Sequence, residues 1–262
     1  MNFTNKVCII TGGALGIGRC LTREFAKEGA RVAFIDSNKK AGEENLAVLR
    51  SCCKDALFFH GDIAEENVLR AFADQIASTF GRVDCLINNA CISRKGILSS
   101  CSYEDFNYVL RVGVTAPYML TQLFLPFFAK NASIVNISSS RAFMSQPDTE
   151  SYTAAKGAVT ALTHALAVSL RGTVRVNSIA PGWIDTGAYY SDDYVSHDSD
   201  ADIMQHPSAK IGDPLDIARA ALFLCDEKNN FINGENITVD GGMTKQMIYH
   251  GDHGWTYNPP EK

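Results

Sequence analysis

The 262-residue sequence carries no basic run longer than Lys39-Lys40, and its formal net charge is −5. A nucleic-acid surface needs clustered cations, so this pattern excludes one. No apolar stretch reaches the roughly 20 residues that cross a bilayer, and residues 1–6 form no apolar leader core. No membrane partner is expected, and the protein reads as cytoplasmic. Eight cysteines are present, but no C-x-x-C pair. Zinc and thioredoxin-type chemistry therefore lack their ligands. Cys8, Cys20, Cys85 and Cys225 sit within apolar patterns and read as small buried hydrophobes. His250, Asp252 and His253 are too few for a metal site, and none is expected. Neither an internal repeat nor a proline- or serine-rich linker marks a boundary, so residues 1–262 read as one domain.

What the sequence does have is 46% apolar residues, enough for a large core, and a regular alternation of strand-like and helix-like segments. The first unit is the most informative. An apolar strand, Val7-Cys8-Ile9-Ile10, runs into Thr11-Gly12-Gly13-Ala14-Leu15-Gly16-Ile17-Gly18 and then an amphipathic helix closed by Gly29. A second strand, Val32-Ala33-Phe34-Ile35, stops on Asp36. Glycines here allow a tight turn and close approach of a pyrophosphate, and the helix N-terminus offers free N–H groups and positive dipole charge. A carboxylate at the second strand end can accept both hydroxyls of a ribose. Asp36 follows Gly18 by eighteen residues, the spacing of a dinucleotide fold. Ser37 offers no cation to a 2′-phosphate, so the pattern selects NAD(H) over NADP(H).

Further along, helices are expected at about 39–51, 65–80, 102–128 and 149–170, with strands at 56–60, 83–87, 133–137, 174–179 and 236–239. Pro117 lies inside the 102–128 pattern, where it kinks a helix. Strict alternation means a doubly wound parallel sheet with helices on both faces. Ligands then bind beyond the carboxyl ends of the strands. That rule gathers the glycine turn, Asp36, Asp62-Ile63, Asn88-Asn89-Ala90, Ser138-Ser139 and Pro181-Gly182 along one edge. Two segments break the alternation. Residues 183–210, acidic and rich in tyrosine, are long for an inert loop and read as a substrate lid. Residues 243–262 form a C-terminal extension whose Met247, Tyr249, Trp255 and Tyr257 call for something to pack on.

Tyr152 and Lys156 are four residues apart on the expected 149–170 helix and project from one face. A free tyrosine, with a pKa of about 10, is a poor base at neutral pH. An ammonium at about 4 Å, at an effective dielectric of about 20, would favour phenolate by roughly 4 kcal/mol, or about three pK units. Tyr152 would then take the proton of an alcohol as its hydrogen leaves for the nicotinamide, while Ser139, at a strand end, holds the alcohol oxygen. His164, beyond Lys156, reads as a packed side chain. Arg141 and Glu150 flank this group, either touching substrate or pairing with each other.

On the residues Thr11-Gly12, Gly16, Gly18, Asp62, Asn88-Asn89-Ala90, Ser139, Tyr152, Lys156, Pro181-Gly182 and Thr186, the chain resembles the short-chain dehydrogenase/reductase family over residues 5–242. The resemblance implies a Rossmann-type seven-stranded parallel sheet of order 3-2-1-4-5-6-7 and a homotetramer or homodimer. It implies that Asp62 and Ile63 meet the adenine and that Asn89 and Ala90 shape the cofactor cleft. It also gives Lys156 a hold on the nicotinamide ribose and Thr186 a contact with the carboxamide, with Ile17 and the glycine turn completing the site. The implied activity is interconversion of a small-molecule alcohol and ketone with NAD. The alternative is an NAD-binding regulator or scaffold that does no chemistry on the same fold. The acidic lid disfavours an anionic substrate and leans toward polyols, sugars or hydroxy-ketones, with a steroid as a further option. Two positions depart from the family pattern. Cys91 stands where Asn-Asn-Ala-Gly has glycine, and Gly113 stands where a helix asparagine serves a proton relay. A glycine inside a helix costs about 1 kcal/mol relative to alanine. Gly113 therefore marks either a bend or a close approach by a neighbouring helix.

Overall fold

The computed structural model describes residues 1–256 and 258. Seven parallel strands make one sheet in the order β3-β2-β1-β4-β5-β6-β7. They are β1 (Val7–Thr11), β2 (Arg31–Asp36), β3 (Leu57–His60), β4 (Val83–Asn88), β5 (Phe128–Ile137), β6 (Val174–Pro181) and β7 (Asn236–Val239). Order reverses between β1 and β4, which pair directly, Cys8 opposite Cys85 and Ile10 opposite Ile87. This is the doubly wound parallel sheet that the alternation implied.

Each central strand is buried on both faces, and its alternate side chains feed two separate cores. Cys8 and Ile10 of β1 pack with helices α1 (Gly16–Lys27), α2 (Lys39–Leu49) and α8 (Pro214–Cys225). Val7 and Ile9 point the other way, toward α3 (Glu66–Phe80), α5 (Ala116–Phe124) and α6 (Glu150–Ser169). Local chemistry sets the helix ends. Gly81, left-handed at φ 66°, closes α3. Asn38 caps α2 by accepting from the Ala41 N–H at 3.1 Å. The α8 start is a capping box in which Asp213 and Asp216 accept each other's backbone N–H groups, with Pro214 in the first turn.

Some expectations need adjusting. The 102–128 helix is α4 (Tyr103–Leu110), a single π turn (Arg111–Thr115), α5, and a 3₁₀ turn (Leu125–Phe127), after which β5 already begins. The α-helical ladder breaks at the π turn, just before Pro117, which lies in the first turn of α5. His164 is exposed rather than packed in the core. Met247, Tyr249 and Trp255 are also exposed, and their segment is held by local turns such as Tyr249 N–H to Asp252 at 3.0 Å. Tyr257 lies outside the described residues. Residues 183–210 carry one 3₁₀ turn (Gly187–Tyr189) and a short helix α7 (Asp200–Met204).

Gly113 sits at a close approach between helices and at a break in the ladder. It lies inside the π turn, and a Cβ placed on it would come 3.1 Å from Cβ of Ala155 on α6, next to Lys156. Helix propensity alone favours Gly113→Ala by about 1 kcal/mol, but the close Cβ pair opposes it. We expect Gly113→Ala to gain nothing in urea unfolding. In a double-mutant cycle with Ala155→Gly, the pair should show a favourable coupling of about 1 kcal/mol. A coupling near zero would assign the glycine to the π-turn backbone alone.

Candidate active site

The glycine turn is built by contact distances that only hydrogen permits. A Cβ on Gly18 would fall 1.8 Å from the Gly12 carbonyl oxygen, and one on Gly12 would fall 2.9 Å from Cα of Ala90. Gly12 and Gly16 both take positive φ, 65° and 55°. Asn89 locks this turn to the end of β4: its amide donates to the Thr11 and Gly12 carbonyls at 3.0 and 3.1 Å. The Thr11 hydroxyl in turn accepts from the Asn89 and Ala90 N–H groups, both at 3.0 Å. The α1 N-terminus, which has no capping side chain, opens onto the cleft that results.

That cleft has a volume of about 340 Å³. Its floor is Gly12, Gly16, Ile17 and Gly18; one end is Asp36, Asp62 and Ile63; the other is Asn89, Ala90 and Thr186. Thr11 stands behind it through its hydroxyl, whereas Pro181, the buried end of β6, lines neither this cleft nor the cavity described next. Asp36 accepts from the Ala14 N–H through one oxygen and from the Asn38 N–H through the other, each at 2.9 Å. Each carboxylate oxygen keeps a further lone pair toward the cleft. Asp62 accepts from the Tyr108 hydroxyl at 2.7 Å. Burial, then the Asp62 charge, hold the Tyr108 phenol above its ordinary range. Tyr108, Cys91 and Tyr190 also line the cleft. Cys91 was legible by the rule that ligands gather at strand ends. No spacing marks Tyr108 or Tyr190, which reach the cleft through the packing of α4 and of the 183–210 segment.

A second cavity, about 610 Å³, adjoins the far end of the cleft. Ser139, Tyr152 and Gly182 line it, with Trp183, Ile184 and Gln205 from the 183–210 segment. Lys156 lines neither cavity. It is buried below Tyr152, its ammonium 5.5 Å from the phenol ring centroid and donating to the Ile137 carbonyl at 2.7 Å. Burial, together with the neighbouring Cys91 thiol, pushes the Tyr152 pKa up, against smaller opposing effects of the Ser139 hydroxyl and Arg141. The net effect on Tyr152 is therefore a raised pKa rather than the expected lowering, with the Lys156 ammonium engaged by the end of β5.

The acidic side chains of residues 183–210 do not face either cavity. Asp185 accepts from the Gly187 N–H and the Tyr194 hydroxyl at 2.9 and 3.0 Å. Asp202 and Ser199 form the capping box of α7, and Asp198 accepts from Ser196 at 2.5 Å. The acidity of this segment is local turn chemistry, and its inference about substrate charge lapses. Glu150 and Arg141 do not pair either: Glu150 accepts from the Ile97 N–H at 3.0 Å, and Arg141 lines the second cavity.

A family model described as enoyl-(acyl carrier protein) reductase matches residues 12–244. An uncharacterised oxidoreductase of Thermotoga maritima is 40% identical over 250 residues, spanning 93% of this chain and 98% of its own. The L-fucose dehydrogenase of Mus musculus is 35% identical over 247 residues, spanning 92% of this chain and 89% of its own. Among solved structures, an apo SCOR enzyme from Clostridium thermocellum superposes with a TM-score of 0.86 at 43% identity, covering 98% of this chain and 99% of its own. With its sheet order and glycine turn already described, the chain belongs to the short-chain dehydrogenase/reductase family of nicotinamide-dependent oxidoreductases.

Proposed function

We propose that the protein is an NAD(H)-dependent dehydrogenase interconverting a secondary alcohol and a ketone, with Tyr152 as general acid and base. The observation that carries this reading is the meeting, at one sheet edge, of the glycine cleft with Ser139 and Tyr152 in the adjoining cavity. A regulatory or scaffold role on the same fold finds less support, since the relatives compared are oxidoreductases.

The cleft fits a dinucleotide. Its floor is closed to any Cβ at Gly18, and the α1 N-terminus faces the place of a pyrophosphate. Asp36 would hold the adenosine ribose diol, Asp62 and Ile63 would flank the adenine, and Thr186 and Lys156 would hold the nicotinamide end. When bound, NAD⁺ supplies the acceptor for the carbinol hydrogen and its electron pair. Ser139 holds the substrate oxygen, and Tyr152 takes the hydroxyl proton during oxidation and returns it during reduction. Residues 183–210 act as a lid, contributing Trp183, Ile184 and Gln205 to the cavity wall.

The eight free cysteines suit a reducing, cytoplasmic setting. Among the described residues no helix is long and apolar enough to cross a membrane. A homo-oligomer, dimer or tetramer, is the expected state. Exposed Tyr103, Tyr118 and Val168 on α4, α5 and α6 support it, as does the open space over Gly157.

Two outcomes check the reading. Tyr152→Phe should lower NAD⁺ reduction by roughly 100-fold or more, the usual share of a general base, with NAD⁺ affinity nearly unchanged by calorimetry. Lys156→Ala should weaken both. A Tyr152→Phe enzyme retaining a tenth of the rate would remove Tyr152 from its role. Separately, the Asp36 carboxylate repels a 2′-phosphate, so NADH should bind at least about tenfold more tightly than NADPH, about 1.4 kcal/mol. Equal affinities would defeat the assignment of NAD.

A further inference from the structure

The second cavity holds one charged side chain, Arg141, and no carboxylate among its lining residues. The two acids nearest in sequence are turned away from it. Asp148 accepts from the Leu98 and Ser99 N–H groups at 2.8 and 3.0 Å, and Glu150 accepts from the Ile97 N–H. The loop at 96–99 therefore takes up both negative charges. Arg141 is left with a side-chain hydrogen bond to the Gln146 amide, and no carboxylate of the described residues pairs with it. A partly buried guanidinium without an anion, facing a cavity, is a ready-made fork for a planar carboxylate.

Its position fixes what it can hold. The guanidinium carbon is 5.7 Å from the Tyr152 ring centroid, while the Arg141 backbone N–H donates to the Ser139 hydroxyl at 3.2 Å, which ties the residue to the end of β5. Arg141, Tyr152 and Ser139 line one cavity, so a molecule whose carbinol oxygen meets Tyr152 and Ser139 can place an anionic group a few bonds away on the guanidinium. The other polar lining groups, Ser93, Ser140, Gln146 and Gln205, are hydroxyls and amides without charge, suited to further hydroxyls on the same molecule.

Resting on the dehydrogenase reading above, we propose that the substrate is a sugar acid, its carboxylate held by Arg141 and its oxidised hydroxyl on the second or third carbon. The reaction balances as carbinol plus NAD⁺ giving ketone, NADH and a proton. The O–H and C–H bonds break and the C=O bond forms. The proton goes to Tyr152, and the carbon-bound hydrogen leaves with its electron pair for NAD⁺. Arg141 changes no bond; it selects the molecule and sets which hydroxyl meets Tyr152.

The test compares NAD⁺ reduction by gluconate and galactonate, by their neutral counterparts sorbitol and galactitol, and by glucose 6-phosphate, in the full-length enzyme and in Arg141→Gln and Arg141→Lys. The expected result is preference for an acid over its neutral counterpart. In Arg141→Gln the acid-to-neutral ratio of kcat/KM should fall roughly 10- to 100-fold, the worth of a charge-assisted pair. The fall should come mainly through KM, with Arg141→Lys intermediate. Preference for the neutral polyols, or for the sugar phosphate, would overturn the proposal while leaving the dehydrogenase reading intact. So would an equal loss on acids and polyols with a shifted pH profile, which would mean that Arg141 acts on the Tyr152 proton. Absence of NAD⁺ reduction by any of these or by a wider set of neutral secondary alcohols would overturn both.

Discussion

The close approach of Gly18 to the Gly12 carbonyl is the constraint on which the site depends. With a Cβ there, the turn between β1 and α1 would open, and the α1 N-terminus would lose its aim. The same turn is pinned from the far side of the sheet crossover by Asn89, whose amide reaches two of its carbonyls. Two strands that are distant in sequence thereby set a single anion-facing edge. The sheet order puts β1 and β4 side by side, so the turn and its lock meet without any intervening loop.

A second tie organises the proton chemistry. Lys156 is buried on α6, yet its ammonium bonds to the carbonyl of Ile137 at the end of β5. Ser138, the next residue, returns a bond from its hydroxyl to the Lys156 carbonyl at 3.0 Å. These reciprocal bonds fix α6 against the strand that carries Ser139, and so fix Tyr152 relative to Ser139. The cost is electrostatic. Burial, with the Cys91 thiol beside it, leaves Tyr152 desolvated and its pKa raised in the chain by itself. Rigid placement and an activated phenol are separate demands, and this chain meets the first on its own.

Much of this was legible beforehand because it depends on periodicity and on glycine. Strand ends collect ligands in any doubly wound sheet, so Asp36, Asp62, Asn89 and Ser139 could be named from their positions alone. The Tyr152–Lys156 pair followed from helical spacing. What escaped was set by tertiary contact. The direction of the Lys156 ammonium depends on a carbonyl nineteen residues away. Acid-rich residues 183–210 gave a misleading charge because their carboxylates cap and brace their own turns. The α8 helix is absent from the strand-and-helix pattern expected above, although Asp213-Pro214-Leu215-Asp216 spells its capping box. Of the two positions that the sequence offers for a break in the 102–128 pattern, Pro117 and Gly113, the ladder gives way around Gly113.

Catalysis turns on the state of Tyr152, which burial holds as a phenol until positive charge is added nearby. An ultraviolet tyrosinate titration of the wild-type protein, with the Tyr152→Phe variant subtracted, isolates that one group. Without cofactor it should ionise above the ordinary tyrosine value of about 10. With NAD⁺ bound, the added charge should carry it below that value. A phenol that titrates at the same pH with and without NAD⁺ would contradict the account.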